Sequence, residues 1–139
     1  MSMSQRDFNG VRVLLAEDEP ILQLVGRLQL ESLGCEVVLA GDGNEAWRVI
    51  EEGHLDLVLM DCQMPEVDGY EVTRRLRQRE RDDGGRSLPV LALTSNTLPG
   101  DRERCLDAGM DDYLPKPVGQ ERLAAAIERW VGREEPQLG

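Results

Sequence analysis

Five short apolar runs, at residues 11–16, 35–40, 57–60, 89–94 and 112–114, recur along this chain with longer stretches of helical spacing between them. The runs are continuously apolar rather than alternating, which is how strands covered on both faces of a parallel sheet read. The intervening stretches carry helix punctuation. Pro20 suits a first helical position and Gly34 a C-terminal stop, giving a helix over 20–34. A second helix is expected over 44–52 with Ala46, Trp47 and Ile50 inward, and a third over 69–81, capped by Asp68 and followed by a loop at 80–87. A fourth runs over 99–108 and stops at Gly109; a fifth runs over 119–130 and stops at Gly132. Strict alternation of strand and helix leaves an α/β doubly wound sheet with helices on both faces.

Five strands in such a sheet take the flavodoxin-like (βα)5 order 2-1-3-4-5, with the ligand crevice at the carboxyl ends of strands 1 and 3. At 139 residues and 40% hydrophobic the chain makes one domain with a real core, expected over 11–132, with disordered tails at 1–10 and 133–139. A net charge of −11 argues against a nucleic-acid partner, which needs a basic footprint. There is neither a membrane-length apolar run nor a secretory leader pattern, so the expected location is cytoplasmic, without membrane contact. Cys35, Cys62 and Cys105, odd in number and far apart, read as reduced core fillers. In the first helix, Ile21, Leu24, Val25 and Leu28 form the stripe expected to face the sheet, leaving Leu22 outside it, beside the crevice.

The polar residues that close the strands carry the chemistry. Strand 1 runs into Glu17 and Asp18, strand 3 into Asp61, strand 4 ends at Thr94, and strand 5 leads to Lys116, the chain's only lysine beside fifteen arginines. A compact ammonium in so arginine-rich a sequence marks a slot that a planar guanidinium does not fit. Three carboxylates at one sheet edge repel one another unless a cation joins them, and an all-oxygen set suits Mg²⁺, with Mn²⁺ as the alternative. Three negative charges, a divalent ion and one ammonium sum to zero, so the pocket admits a phosphoryl group.

The segments LLAEDEP, LVLMDCQMPEVDGYE, VLALTS and DDYLPKPV, in that order, resemble the receiver domain of two-component response regulators from about Val11 to Trp130. The resemblance is strongest to receivers of hybrid sensor kinases and phosphorelays. It implies that Asp61 is the phosphoacceptor, that Glu17, Asp18, Asp61 and the Gln63 backbone carbonyl hold Mg²⁺, and that Thr94 and Lys116 contact the phosphoryl group. It also implies a cis Lys116–Pro117 bond and a switch in which Thr94 and Tyr113 move, altering the surface of the fourth helix, fifth strand and fifth helix. The partner is then a histidine kinase or a histidine phosphotransfer protein, docked on Leu22 and Pro117, with the chain a monomer or a weak phosphorylation-dependent dimer. Glu17 stands where an aspartate is commoner, and Ser95 where alanine is. The module is a signalling phosphoacceptor that takes part in its own dephosphorylation rather than an enzyme on external substrates, and it reads either as a stand-alone regulator or as part of a larger protein. Gln63 leaves a haloacid-dehalogenase-type phosphatase without its general acid. The acidic Glu17-Asp18-Glu19-Pro20 loop repels the phosphates that a nucleotide or flavin binder would cradle.

Overall fold

In the structure, a computed structural model describing residues 8–95 and 100–131, strands and helices alternate throughout. The strands are β1 (Arg12–Ala16), β2 (Glu36–Ala40), β3 (Leu57–Asp61), β4 (Val90–Thr94) and β5 (Asp112–Pro115). The helices are α1 (Pro20–Ser32), α2 (Gly43–Glu52), α3 (Gly69–Asp83), α4 (Asp101–Ala108) and α5 (Gln120–Trp130). All neighbouring strands pair in parallel in the order β2-β1-β3-β4-β5, as the alternating pattern requires.

Side-chain alternation along each strand sorts the core into two halves. Leu14, Ala16, Val58, Met60 and Ala92 meet α2, α3 and α4 through Ala46, Ile50, Val72, Leu76 and Cys105. Val13, Leu15, Leu57, Leu59, Leu91 and Leu93 meet α1 and α5 through Leu30, Leu33, Leu123 and Ile127. Each fully buried leucine or valine stabilises the fold by roughly 1.5–3 kcal/mol. Cys35, Cys62 and Cys105 are buried free thiols. Trp47 is partly buried against the first half, on the side expected of it.

The differences from expectation are local. The third helix continues through 82–83, because Gln78 bonds Asp82 and Arg79 pairs with Asp83 across one turn; Gly84, left-handed at φ 69°, then stops it. The expected N-terminal tail ends early: the Phe8 N–H donates to the Leu33 carbonyl at 2.8 Å and Phe8 packs on the core. Residues 1–7 and 133–139, the rest of the expected N-terminal tail and all of the C-terminal one, lie outside the described residues, as do the Pro99 start of the fourth helix and the Gly132 stop.

The main correction concerns α1. Ile21, Leu24, Val25 and Leu28 face solvent at 68%, 48%, 41% and 53% exposure, while Leu22 is half-buried and Leu30 and Leu33 are buried. The helix turns the line Leu22, Gly26, Leu30, Leu33 to the sheet. Gly26 lies so close to Leu15 that a Cβ would sit 2.7 Å from its Cδ2. A glycine adds nothing to an apolar stripe, so the side of closest approach looks empty when only side chains are counted.

Candidate functional site

Every β-strand except β2 delivers a polar group to one edge of the sheet. Backbone pairing runs just past the strands: the Glu17 N–H donates to Ala40, that of Cys62 to Leu93 and that of Lys116 to Thr94, at 3.0, 3.2 and 2.8 Å. These bonds hold the residues beyond the strand ends in register. Glu17 and Asp61 are buried at 1% and 4% exposure, whereas Asp18 faces solvent. One carboxylate oxygen from each of Glu17, Asp18 and Asp61 lies within 4.8 Å of the other two. The Lys116 Nζ sits 3.1 Å from Glu17 Oε1 and 3.2 Å from Asp61 Oδ2. The Lys116–Pro117 bond is cis.

The cleft above these groups, about 460 Å³, is lined by Glu17, Asp18, Glu19, Leu22, Asp61, Gln63, Ser95, Lys116 and Pro117. Thr94 closes β4 next to it and is buried, but Ser95 is the residue of that strand end that lines the opening. Tyr113 lies on β5 away from the lining, partly buried against the core that α4 covers. Leu22 and Pro117 both border the cleft and also a narrow apolar groove between α1 and the start of α5.

One neighbour, Gln23, went unremarked in the sequence, and Glu19 was read there only as part of an acidic loop. Gln23 reaches back from α1 and donates its side-chain amide to the Glu17 carbonyl at 2.7 Å. Glu19 caps α1 by accepting the Leu22 N–H, and its own N–H donates to Glu17 Oε2 at 3.1 Å. Gln23 holds the Glu17 backbone and Glu19 its carboxylate, and apolar spacing carries no signal for either contact.

Burial pushes the Asp61 carboxyl up to about 6, with the Gln63 N–H and Lys116 opposing this and the charge of Glu17 adding to it. Burial works against the Lys116 charge as well, yet Asp61 and Glu17 outweigh it and hold the ammonium above the usual lysine range. Three carboxylates against one ammonium leave a surplus of negative charge in a partly dry cleft. An all-oxygen donor set with that surplus fits a hard divalent cation. Burial pushes the Cys62 thiol up to about 12, which keeps it protonated and a poor nucleophile beside Asp61.

A family model for the response regulator receiver domain matches residues 13–128. The chain belongs to that family. This receiver is 39% identical over 121 residues to the sensor protein GacS of Pseudomonas syringae pv. syringae, an alignment covering 87% of this chain and 13% of GacS. It thus spans only a small part of the length of that curated relative. The receiver domain of the sensor histidine kinase PA1611 from Pseudomonas aeruginosa, solved with a magnesium ion coordinated in its active-site cleft, superposes with a TM-score of 0.80 at 45% identity. That match covers 89% of this chain and 99% of the other. The receiver domain of Ssk1 from Saccharomyces cerevisiae, solved in complex with the histidine phosphotransfer protein Ypd1, matches at TM-score 0.85 and 31% identity, covering 91% and 92%. The receiver fold is therefore established from sequence and structure alike. Among the described residues no helix is long and apolar enough to cross a membrane.

Proposed function

We infer that this receiver is the phosphoacceptor step of a phosphorelay, with residues 11–132 as the working unit, acting in the cytoplasm. The observation that carries the reading is the meeting of Glu17, Asp18 and Asp61, with the Nζ of the only lysine on Glu17 and Asp61. Glu17, Asp18, Asp61 and the Gln63 carbonyl would hold Mg²⁺, which supplies charge neutralisation and a Lewis acid for phosphoryl oxygens. Asp61 is the nucleophile. Its carboxylate oxygen forms a bond to phosphorus as the phosphorus–nitrogen bond of a phosphohistidine breaks, and the imidazole leaves. The Lys116 ammonium and the Thr94 hydroxyl hold the transferred oxygens, and water later hydrolyses the acyl phosphate. Movement of Thr94 and Tyr113 toward the phosphorylated state carries the change to α4, β5 and α5, a population shift driven by new contacts.

The donor is a histidine kinase or histidine phosphotransfer protein. Its docking surface is better drawn from the exposed face of α1, Ile21, Leu24, Val25 and Leu28, than from Leu22 and Pro117 alone. Leu22 of the same helix lines the cleft mouth with Pro117, and the complex of the Ssk1 receiver with the histidine phosphotransfer protein Ypd1 supports a partner of that class. Incubation with acetyl phosphate, with and without Mg²⁺, tests the core of the reading. Intact-mass and peptide mapping should show one phosphoryl group on Asp61, absent without the metal and absent in Asp61→Asn. Labelling elsewhere, or undiminished labelling without metal, overturns it.

A further inference from the structure

The first residue of one helix presses on the β3–α3 connection, residues 62–68, and the first residue of another presses on the strand end from which it leaves. Gly43 opens α2 and is buried; a Cβ there would overlap the Val67 carbonyl oxygen and come within 2.6 Å of its carbon and 2.8 Å of Val67 Cβ. Gly69 opens α3, and a Cβ there would overlap the Asp61 carbonyl oxygen and lie 2.7 Å from Met60 Cγ. In both cases the obstacle includes backbone, so no change of rotamer relieves it. At Gly69 the contact is with the phosphoacceptor's own backbone. At Gly43 it is with the far end of the connection, contributed by a helix whose residues do not line the cleft.

The first turn of α2 is built to stay where it is. Asp42 Oδ1 accepts the Glu45 N–H at 2.8 Å, and Glu45 Oε1 accepts the Gly41 N–H at 2.6 Å, a reciprocal pair that fixes the helix start on both sides of Gly43. Between the two walls the connection has little freedom. The Gly69 N–H donates to the Cys62 carbonyl at 3.3 Å, Met64 is buried, and Glu66 sits at φ 71°, a left-handed conformation unusual for a residue with a side chain. The same connection places Gln63, whose N–H donates to Asp61 Oδ1 at 3.0 Å and whose carbonyl is the fourth oxygen of the reading above.

We propose that Gly43 is a positioning residue for the metal site: the bare first residue of α2 is the wall that sets the β3–α3 connection, and with it Gln63, against the acidic cluster. The proposal rests on the metal-binding reading of the cleft. Its consequence is that an atom added at Gly43 shifts residues 63–67 and weakens metal binding although the residue touches no ligand. Loss of a hydrogen bond that orients a metal ligand typically weakens affinity by roughly 10- to 100-fold, and displacing the backbone that carries a ligand is expected to act at the low end of that range.

Amide NMR of the full chain during Mg²⁺ titration tests it. In Gly43→Ala the amides of 63–67 should be displaced before metal is added, and the Mg²⁺ dissociation constant should rise roughly tenfold. Ile50→Val, which trims the buried face of the same helix without moving its first turn, should lower the melting temperature and leave the dissociation constant unchanged. Should Gly43→Ala fail to fold, Asp42→Ala loosens the α2 start without adding an atom, and should weaken Mg²⁺ binding in the same direction by a smaller factor. Wild-type affinity in Gly43→Ala, or in Asp42→Ala where that variant stands in, overturns the proposal, as does equal weakening by Ile50→Val. An unmodified chain without Mg²⁺-dependent shifts overturns the metal reading instead. In that event the positions of the 63–67 amides in Gly43→Ala still decide whether Gly43 sets the connection.

Discussion

Lys116 and Arg77 are almost equally shielded, at 14% and 13% side-chain exposure, and stand toward opposite ends of the same sheet. Arg77 on α3 donates to five acceptors: the carbonyls of Gly109 and Leu88, Ser87 Oγ, Glu80 Oε1 and Asp111 Oδ2. Its carboxylate partners are satisfied from elsewhere too, since Glu80 Oε2 takes the Leu88 N–H and Asp111 Oδ2 the Val90 N–H. Lys116 donates to two carboxylates that remain crowded by a third. At one end of the sheet the guanidinium's donors are spent on the segments where β4 and β5 begin. The other is left with an imbalance that only an incoming ligand resolves. Shielding alone does not distinguish a structural charge from a working one; the number of acceptors the cation serves and the carboxylates crowded around it do.

That contrast breaks first on Arg77. Arg77→Met strands two carboxylates and two carbonyls, and should lower the unfolding free energy by about 3 kcal/mol in chemical denaturation, while the folded fraction still takes up phosphate from acetyl phosphate. A loss under about 1 kcal/mol would remove the distinction between the two ends. Asp61→Asn should act in the opposite sense. With the folded carboxyl raised to about 6 from an ordinary 3.8, the unfolded chain ionises first, and stability is lost as pH rises between those values. The asparagine variant, without metal, should therefore be more stable than wild type by on the order of 2 kcal/mol above pH 6, the gain fading to nothing below about pH 4. Melting curves across that range check it.

Lys116→Arg should shift stability by less than about 1 kcal/mol, since charge is kept, yet blunt the beryllofluoride-induced amide shifts at Thr94 and Tyr113. Wild-type shifts would make Lys116 interchangeable with any cation. The smallest stability effect belongs to Leu24→Ala on the open face of α1, within about 0.5 kcal/mol. It should slow transfer from a histidine phosphotransfer protein roughly tenfold, with acetyl phosphate labelling unchanged. Equal slowing with both donors would move its effect into the cleft.

The sheet order and the acidic cluster were legible in the sequence for one physical reason. Buried parallel strands announce themselves as unbroken apolar runs, and such a sheet gathers its polar ends on one edge, so Glu17, Asp18, Asp61 and Lys116 were placed together by topology alone. The facing of α1 was not legible, because the helix approaches β1 through Gly26 and gives up its larger apolar face to solvent. The roles of Gln23 and Gly43 were hidden for a related reason. One acts through a backbone carbonyl and the other through the absence of a side chain, and neither leaves a trace in a hydrophobic pattern.

The solitary lysine has a practical consequence. Besides the α-amine, this chain offers amine-selective reagents a single ε-amino group, and that group sits between Glu17 and Asp61. Mild acylation followed by mass spectrometry thus becomes an occupancy gauge: an acyl group mapped to Lys116 reports a cleft whose ammonium came free, with no engineered dye or tag.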